Sequence, residues 1–195
     1  MLAVLKSEHS RRRLIGRITN MHIYRADLRD LAVCLTLDGS YETDHVWQVN
    51  QQVEGDGVTT RFQTVRLPRT MRVQYPGWSE ALLAHQQRGD LILVAAETGD
   101  VRGYINQESQ PDQGIAWIHH LIVAPASRQQ GIGTALLSRG IQHARQLGLT
   151  HLMTVVQSKN YPAIQFLTRH NFKFCGYNEQ FYRNRDIGLY FVRGL

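Results

Sequence analysis

The sequence is poor in cysteine and has no long hydrophobic run. Only two cysteines are present, Cys34 and Cys175; they stand far apart and match no metal-ligand spacing. We therefore expect two reduced, partly buried thiols and no metal site. No stretch of about 18 consecutive apolar residues occurs, so no membrane-spanning helix is expected. Internal repeats and low-complexity linkers are also missing.

The charge is positive overall, with 22 Lys and Arg against 16 Asp and Glu. This balance favours anionic partners in general and does not choose between nucleic acid, an acidic surface and a phosphate-bearing cofactor. The basic run Arg11–Arg13 is expected to be a solvated arm. Nucleic-acid binding is disfavoured because the run lacks interleaved aromatic residues. A short apolar start followed by charge is the reverse of a secretory signal, so we predict a cytoplasmic protein.

The length of 195 residues suits one well-packed core. We predict a basic N-terminal extension at 1–20, followed by one domain at 21–195. The predicted elements are, in order, a strand at 21–26, a helix from Asp27 to about Leu35, a hairpin of 44–53 and 59–67, a short helix ending at Gly89, a hairpin of 91–97 and 101–108, a strand at 114–123, a helix at 132–147, a strand at 151–157, a helix at 161–170, and strands at 172–177 and 187–193. This order predicts an α/β (α+β) fold with a mixed sheet and helices packed against it.

Two glycines, Gly131 and Gly133, stand where the helix at 132–147 begins. Its apolar face is predicted to hold Ile132, Leu136, Leu137, Ile141, Ala144 and Leu147. Glycine weakens helical turns, so the pair indicates either a plain glycine cap or a close approach of a ligand to the backbone. A helix N-terminus suits a phosphate. No lysine follows as in a P-loop, and Leu136 stands where a dinucleotide fingerprint has its third glycine.

Two motifs carry a resemblance to a known family. The first runs Arg128-Gln-Gln-Gly131-Ile-Gly133 after a strand ending in Val-x-Pro, and the second runs Asn160-x-x-Ala163-x-x-Phe166, then Phe172 and Gly176. The first resembles the acetyl-CoA pyrophosphate loop of the GNAT superfamily of N-acetyltransferases, and its block "LxVxxxxRQQGxG" is similar to arylalkylamine N-acetyltransferases. The resemblance covers Met21 to about Tyr177. It implies the GNAT fold, with a mixed central sheet of about seven strands, flanking helices and a splayed cofactor cleft.

The resemblance implies acetyl-CoA as co-substrate and assigns residues to it. The pantetheine arm would lie along the strand at Leu121, Ile122 and Val123. The pyrophosphate would sit on the loop and helix start, whose residues are Arg128, Gln129, Gln130, Gly131, Ile132, Gly133 and Thr134. Asn160 would contact the pantetheine or the thioester, with a simple helix cap as the alternative.

His119 is the predicted catalytic base, because acetyl transfer to an amine requires loss of a proton and imidazole titrates near neutrality. Strand alternation places Trp117 and His119 on one face and His120 on the other. Arylalkylamine N-acetyltransferases carry a proton-relaying histidine at the position of His119 and a second one where Trp117 stands here. A structural histidine and an ordered water are the alternatives, with Glu108 and Glu97 as weaker candidates.

The family usually has a tyrosine, the acid for the departing thiolate, where this chain has Leu167. Tyr161, Tyr177 and Tyr182 are the candidate substitutes. The departure keeps open an alternative function, a non-catalytic GNAT-fold sensor that binds acyl-CoA. Asn171 replaces the common glycine before Phe172, a mild change because asparagine tolerates a left-handed backbone.

The acceptor is predicted to be a primary amine of a small molecule or a protein. Its site would be built around residues 27–80, where Trp47, Tyr75 and Trp78 could line a pocket or belong to a core or a homodimer contact. The layout, including "DIGLYFVRGL" at the end, is similar to streptothricin acetyltransferases, a similarity that does not name a substrate.

Overall fold

The computed structural model of the chain describes residues 21–75 and 79–195. The predicted extension at 1–20, with Arg11–Arg13, and Trp78 lie outside the described residues. The strands are β1 (Met21–Arg25), β2 (Tyr41–Glu54), β3 (Gly57–Val73), β4 (Leu91–Glu97), β5 (Asp100–Gln110), β6 (Ile115–Val123), β7 (His151–Gln157), β8 (Lys173–Asn178) and β9 (Gly188–Gly194). The α-helices are α1 (Leu28–Thr36), α2 (Ser79–Gln87), α3 (Ile132–Gln146) and α4 (Tyr161–Arg169). In this part of the chain we find no helix with the length and hydrophobicity that crossing a bilayer requires.

The architecture confirms the predicted fold class: α/β, with a mixed seven-stranded sheet and helices. The chain forms two compact units. In the first, the strands β1, β4, β5 and β6 pair in that order, each antiparallel to its neighbour. The second contains β7, β9 and β8 in that order, together with α4 and the separate hairpin of β2 and β3. The division into residues 1–20 and a single domain at 21–195 stays a prediction.

Local sequence sets where α1 begins. Asp27 is its N-cap: the Asp27 carboxylate accepts hydrogen bonds from the backbone N–H groups of Arg29 (2.7 Å) and Asp30 (2.9 Å). The Asp30 carboxylate accepts one in return from the Asp27 N–H at 3.0 Å. This reciprocal arrangement satisfies amides that have no partner within the helix. The predicted helix start is confirmed.

Helix α3 packs its apolar stripe into the core of the first unit. Its buried residues are Ile132, Leu136, Leu137, Gly140, Ile141 and Ala144. A Cβ at Gly140 would lie 2.7 Å from the Gln107 Oε1 and 3.1 Å from the Ile105 Cδ1, so the helix lies close against β5. The prediction that Leu147 shares the buried face is wrong. Leu147 is the C-cap, beyond the last helical turn, and 49% of its surface is exposed.

Candidate active site

The loop between β6 and α3 is held by side chains that bond to backbone carbonyls. The Arg128 guanidinium donates from Nε to the Val123 carbonyl at 2.9 Å and from Nη2 to the Asp38 carbonyl at 3.2 Å. The Gln130 side-chain amide donates to the Ala126 carbonyl at 3.0 Å. Two of the predicted cofactor residues, Arg128 and Gln130, therefore fix the course of the loop itself.

The start of α3 has the geometry of an anion-binding helix N-terminus. Gly131 is the N-cap in the left-handed region, with φ of 87°, and makes no side-chain cap bond. Gln129 is also left-handed, at φ of 59°. The Ala135 N–H donates to the Gly131 carbonyl at 2.9 Å, which opens the helical ladder. The amides of Ile132 and Gly133 precede that bond and lie at the positive end of the helix dipole.

The predicted pantetheine strand is the last part of β6. Leu121 and Val123 are half-buried, whereas the Ile122 side chain is buried. This stretch pairs with β5, and a Cβ at Gly103 would lie 2.7 Å from the Ile122 carbonyl oxygen. The glycine at 103 therefore lets the end of β6 lie close against β5. The contacts of Leu121, Ile122 and Val123 with pantetheine stay predictions.

A β-bulge in β6 lies at His119. In the pairing of β5 with β6, Asn106 lies opposite His120 and Gln107 opposite Ile118, so His119 is the extra residue. Burial still alternates along β6, with Trp117 and His119 half-buried and His120 buried, as the predicted alternation of faces requires. The His119 ring is stacked toward Trp117 at 6.4 Å between centroids. His120 is buried, with its Nδ1 3.2 Å from the Tyr104 hydroxyl.

The structure distinguishes between the two carboxylates considered as bases. The Glu108 Oε2 lies 2.7 Å from the His119 Nε2. Its other oxygen accepts a hydrogen bond from the Gln110 side-chain amide at 3.2 Å. Glu97 instead lies 3.8 Å from the Arg102 guanidinium. His119 and Glu108 are therefore brought together as a pair.

A second histidine, His85, completes this group and was missed by the sequence reasoning. It comes from α2, only 6% of its surface is exposed, and its ring centroid is 4.3 Å from that of His119. The His85 Nδ1 lies 2.8 Å from the Asp90 carboxylate, which Arg88 also contacts at 3.2 Å. The one signal in the sequence was a histidine among the apolar residues of a short helix.

Burial and hydrogen bonding set the charges of the His119–Glu108 pair. Burial lowers the pKa of His119, and the hydrogen bond with Glu108 offsets only part of that effect. Burial raises the pKa of Glu108, but the hydrogen bonds from Gln110 and His119 outweigh it, and the pKa lies below its usual value. Burial lowers the pKa of His120 to about 4. At neutral pH the pair is a neutral imidazole beside an ionised carboxylate.

The second unit holds the residues of the second motif. Asn160 is the N-cap of α4 and accepts a hydrogen bond from the Ala163 N–H at 3.1 Å, which is the helix cap considered as the alternative to a cofactor contact. Its contact with pantetheine stays a prediction. Leu167 is buried. Asn171 has φ of 62°, the left-handed conformation predicted there.

The aromatic residues considered for the acceptor or acid have packing partners in the second unit. The Trp47 ring lies 5.6 to 6.2 Å from the rings of Phe62, Phe174 and Phe191. Of the alternatives left open for Trp47, this contact set favours the core. The candidate tyrosines differ in their surroundings. Tyr182 is buried, the Tyr177 hydroxyl accepts from Gln51 at 3.1 Å, and the Tyr161 hydroxyl accepts from Gln165.

The chain matches known proteins along most of its length. The sequence model of the acetyltransferase (GNAT) family matches residues 59–172. The streptothricin acetyltransferase of Streptomyces lavendulae is 31% identical over 151 residues, which are 75% of this chain and 78% of that protein. A crystal structure of nourseothricin acetyltransferase superposes with a TM-score of 0.77 at 25% identity, covering 90% of this chain and 99% of that one. A Bacillus anthracis str. Ames structure with acetyl coenzyme A, described as a streptothricin acetyltransferase, has a TM-score of 0.68 at 16% identity and covers 90% of this chain and 97% of that one, a likeness of fold.

Proposed function

The chain belongs to the GNAT family of acetyltransferases, and on that premise we propose that it transfers the acetyl group of acetyl-CoA to a primary amine. The observation that carries the proposal is the start of α3, where a left-handed glycine N-cap follows a loop braced by Arg128. That arrangement offers backbone donors to a pyrophosphate without a Cβ at the cap. Acetyl-CoA supplies the acetyl group; the protein has to hold it and to take a proton from the amine.

In this proposal the cofactor residues divide into two groups. The amides from Gln129 through Thr134 bind the pyrophosphate, and the backbone of Leu121–Val123 binds the pantetheine. Arg128 acts mainly as a positioning residue, because its guanidinium already bonds two carbonyls of the protein. Asn160 keeps its predicted contact with the cofactor as part of the proposal.

His119 is the proposed proton acceptor, with Glu108 as its partner. An ionised carboxylate accepts a hydrogen bond, so the His119 Nε2 carries the proton at their 2.7 Å contact and Nδ1 carries the lone pair. We propose that Nδ1 receives the amine proton. The Glu108 carboxylate then stabilises the resulting imidazolium, because opposite charges at this distance attract strongly in a partly buried site.

Streptothricin is the first acceptor to test, since the relative with 31% identity carries that activity in its name. We expect thiol release from acetyl-CoA in the presence of streptothricin and a mass gain of one acetyl group on the streptothricin. A panel of simple primary amines and one peptide serves for comparison. Tight CoA binding with no thiol release from any acceptor would contradict the proposal and favour the acyl-CoA sensor.

Replacing Arg128 by alanine is expected to weaken CoA binding by less than tenfold. The loss of two hydrogen bonds to backbone carbonyls should also lower the free energy of unfolding by about 1–3 kcal/mol. Calorimetric titration with CoA and thermal melting measure the two effects. The control is Arg139→Ala on the exposed side of α3, which should change neither. A loss of CoA affinity beyond a hundredfold at unchanged stability would instead mean that Arg128 contacts the phosphates directly.

A further inference from the structure

We propose that His85, Glu108 and His119 form a binding site for a divalent transition-metal ion of the zinc class. One ring nitrogen of each histidine and one carboxylate oxygen of Glu108 all lie within 4.8 Å of one another. The three residues come from α2, β5 and β6, so no local sequence spacing marks them. The proposal reverses the expectation of no metal site and goes beyond acetyl transfer.

The distances suit a shared ion after small side-chain movements. Zinc bonds histidine nitrogen at about 2.0–2.1 Å and carboxylate oxygen at about 2.0–2.2 Å, so tetrahedral ligand atoms lie about 3.4 Å apart. The contact between the His119 Nε2 and the Glu108 Oε2 is shorter, at 2.7 Å, a length typical of a hydrogen bond from an imidazole N–H to a carboxylate. An ion that replaces the imidazole proton requires these two atoms to move apart by less than about 1 Å, toward the ~3.4 Å separation of tetrahedral ligands.

Outer hydrogen bonds already orient two of the three ligands. The His85 Nδ1 lies 2.8 Å from the Asp90 carboxylate and 2.8 Å from the Arg88 Nη2. In the metal-binding form Nδ1 carries the proton and donates it to Asp90, which leaves the Nε2 lone pair for the ion. The Gln110 amide holds the Oε1 of Glu108, which leaves Oε2 for the ion. Carboxylate–histidine and amide–carboxylate contacts of this kind are characteristic of metal sites and raise their affinity.

The charges and the exposure also permit an ion to enter. Glu108 and Asp90 bring two negative charges, and Arg88 beside Asp90 offsets one of them. The side chains of His119 and Glu108 are 32% and 27% exposed, so the group opens to solvent and a water can take the fourth position. Two imidazoles with one carboxylate favour zinc, copper or nickel over magnesium or calcium.

Occupation of the site would block the proposed proton acceptor. A neutral imidazole carries one proton, so a metal on the His119 Nε2 places that proton on Nδ1 and removes the lone pair there. Zinc should therefore inhibit acetyl transfer reversibly, with recovery on adding a chelator. Only this consequence rests on the proposed function; metal binding itself does not.

The decisive experiment is calorimetric titration of zinc into the untagged, chelator-treated full-length protein, without acetyl-CoA or amine. We expect one ion per chain. His85→Gln and Glu108→Gln should each weaken the binding at least tenfold. Cobalt bound in the same way should show the visible absorption of a four- or five-coordinate ion, and this absorption should be lost in both variants.

Two control variants separate this site from adventitious ligands. Cys175→Ser removes an exposed thiol and His22→Gln an exposed imidazole, and both should bind zinc as the wild type does. Thermal melting checks that the His85 variant is folded, because His85 is buried. If that variant is unfolded, the comparison of wild type with the partly exposed Glu108 variant decides the test. Zinc binding that is missing in the wild type, or that persists unchanged in folded His85 and Glu108 variants, would overturn the proposal. Neither result depends on whether the protein transfers acetyl groups.

Discussion

Gly131→Val is expected to lower the affinity for CoA by at least a hundredfold. Gly131 is the N-cap of α3 at φ of 87°, a backbone conformation that a β-branched residue adopts only with strain. Valine would either place its methyl groups beside the amides proposed to bind the pyrophosphate or turn the loop out of its present course. Either change would make the backbone N–H groups of the loop unavailable to the pyrophosphate. Calorimetric titration with CoA measures the loss.

The matched control is Gly148→Val at the other end of α3. Gly148 is also left-handed, at φ of 71°, and a Cβ there would meet nothing within 4 Å. Both variants should lose about 1–2 kcal/mol of the free energy of unfolding through backbone strain. Only the Gly131 variant should lose CoA. Equal CoA affinity in the two variants would refute the assignment of the loop.

His119→Ala is expected to lower kcat by about a hundredfold to ten-thousandfold, the range usual for one general base. CoA affinity should stay within a factor of about two, because no cofactor contact is assigned to that side chain. Steady-state kinetics at saturating acetyl-CoA and separate binding titrations distinguish the two effects. His143→Gln, on the last turn of α3, is the control that should keep wild-type kcat.

The partner of His119 gives a second measurement on the same pair. Glu108→Gln should lower kcat less than His119→Ala does, since it removes only the charge that stabilises the imidazolium. In the double variant the losses should be far from additive, as for groups that act as a unit. A His119→Ala enzyme with wild-type kcat would leave His119 as a structural residue.

Most of the fold could be predicted because local rules and long-range packing agree in this chain. The capping aspartate at 27, the period of the α3 stripe and the turn glycines placed most elements within about three residues. The exception is β3, which was predicted to end at 67 and runs on to Val73. The prediction that Leu147 is buried was wrong because periodicity alone does not show where a helix ends. The glycine turn at 148 removes the last residue from the buried face, and an exposed leucine there costs little.

The candidate site could be predicted only where it is contiguous in sequence. The loop from Arg128 to Thr134 and the strand before it are one segment, so a motif can describe them. The group around His119 depends on a bulge in β6 and on a helix from another part of the chain. Alternation in β6 could not choose Glu108 over Glu97, and no pattern in the sequence brings His85 to the same place.

The side-chain hydrogen bonds that fix the loop between β6 and α3 have a thermodynamic consequence for ligand binding. Arg128 and Gln130 fix the loop through bonds to three backbone carbonyls before any ligand arrives. A preorganised loop gives up little conformational entropy on binding, so most of the interaction energy of the pyrophosphate remains available as affinity. Small fragments that carry little more than the diphosphate should therefore bind with a large share of the free energy of whole CoA. Their binding should also order few additional residues, which amide hydrogen exchange would register as a small change in protection along 124–131.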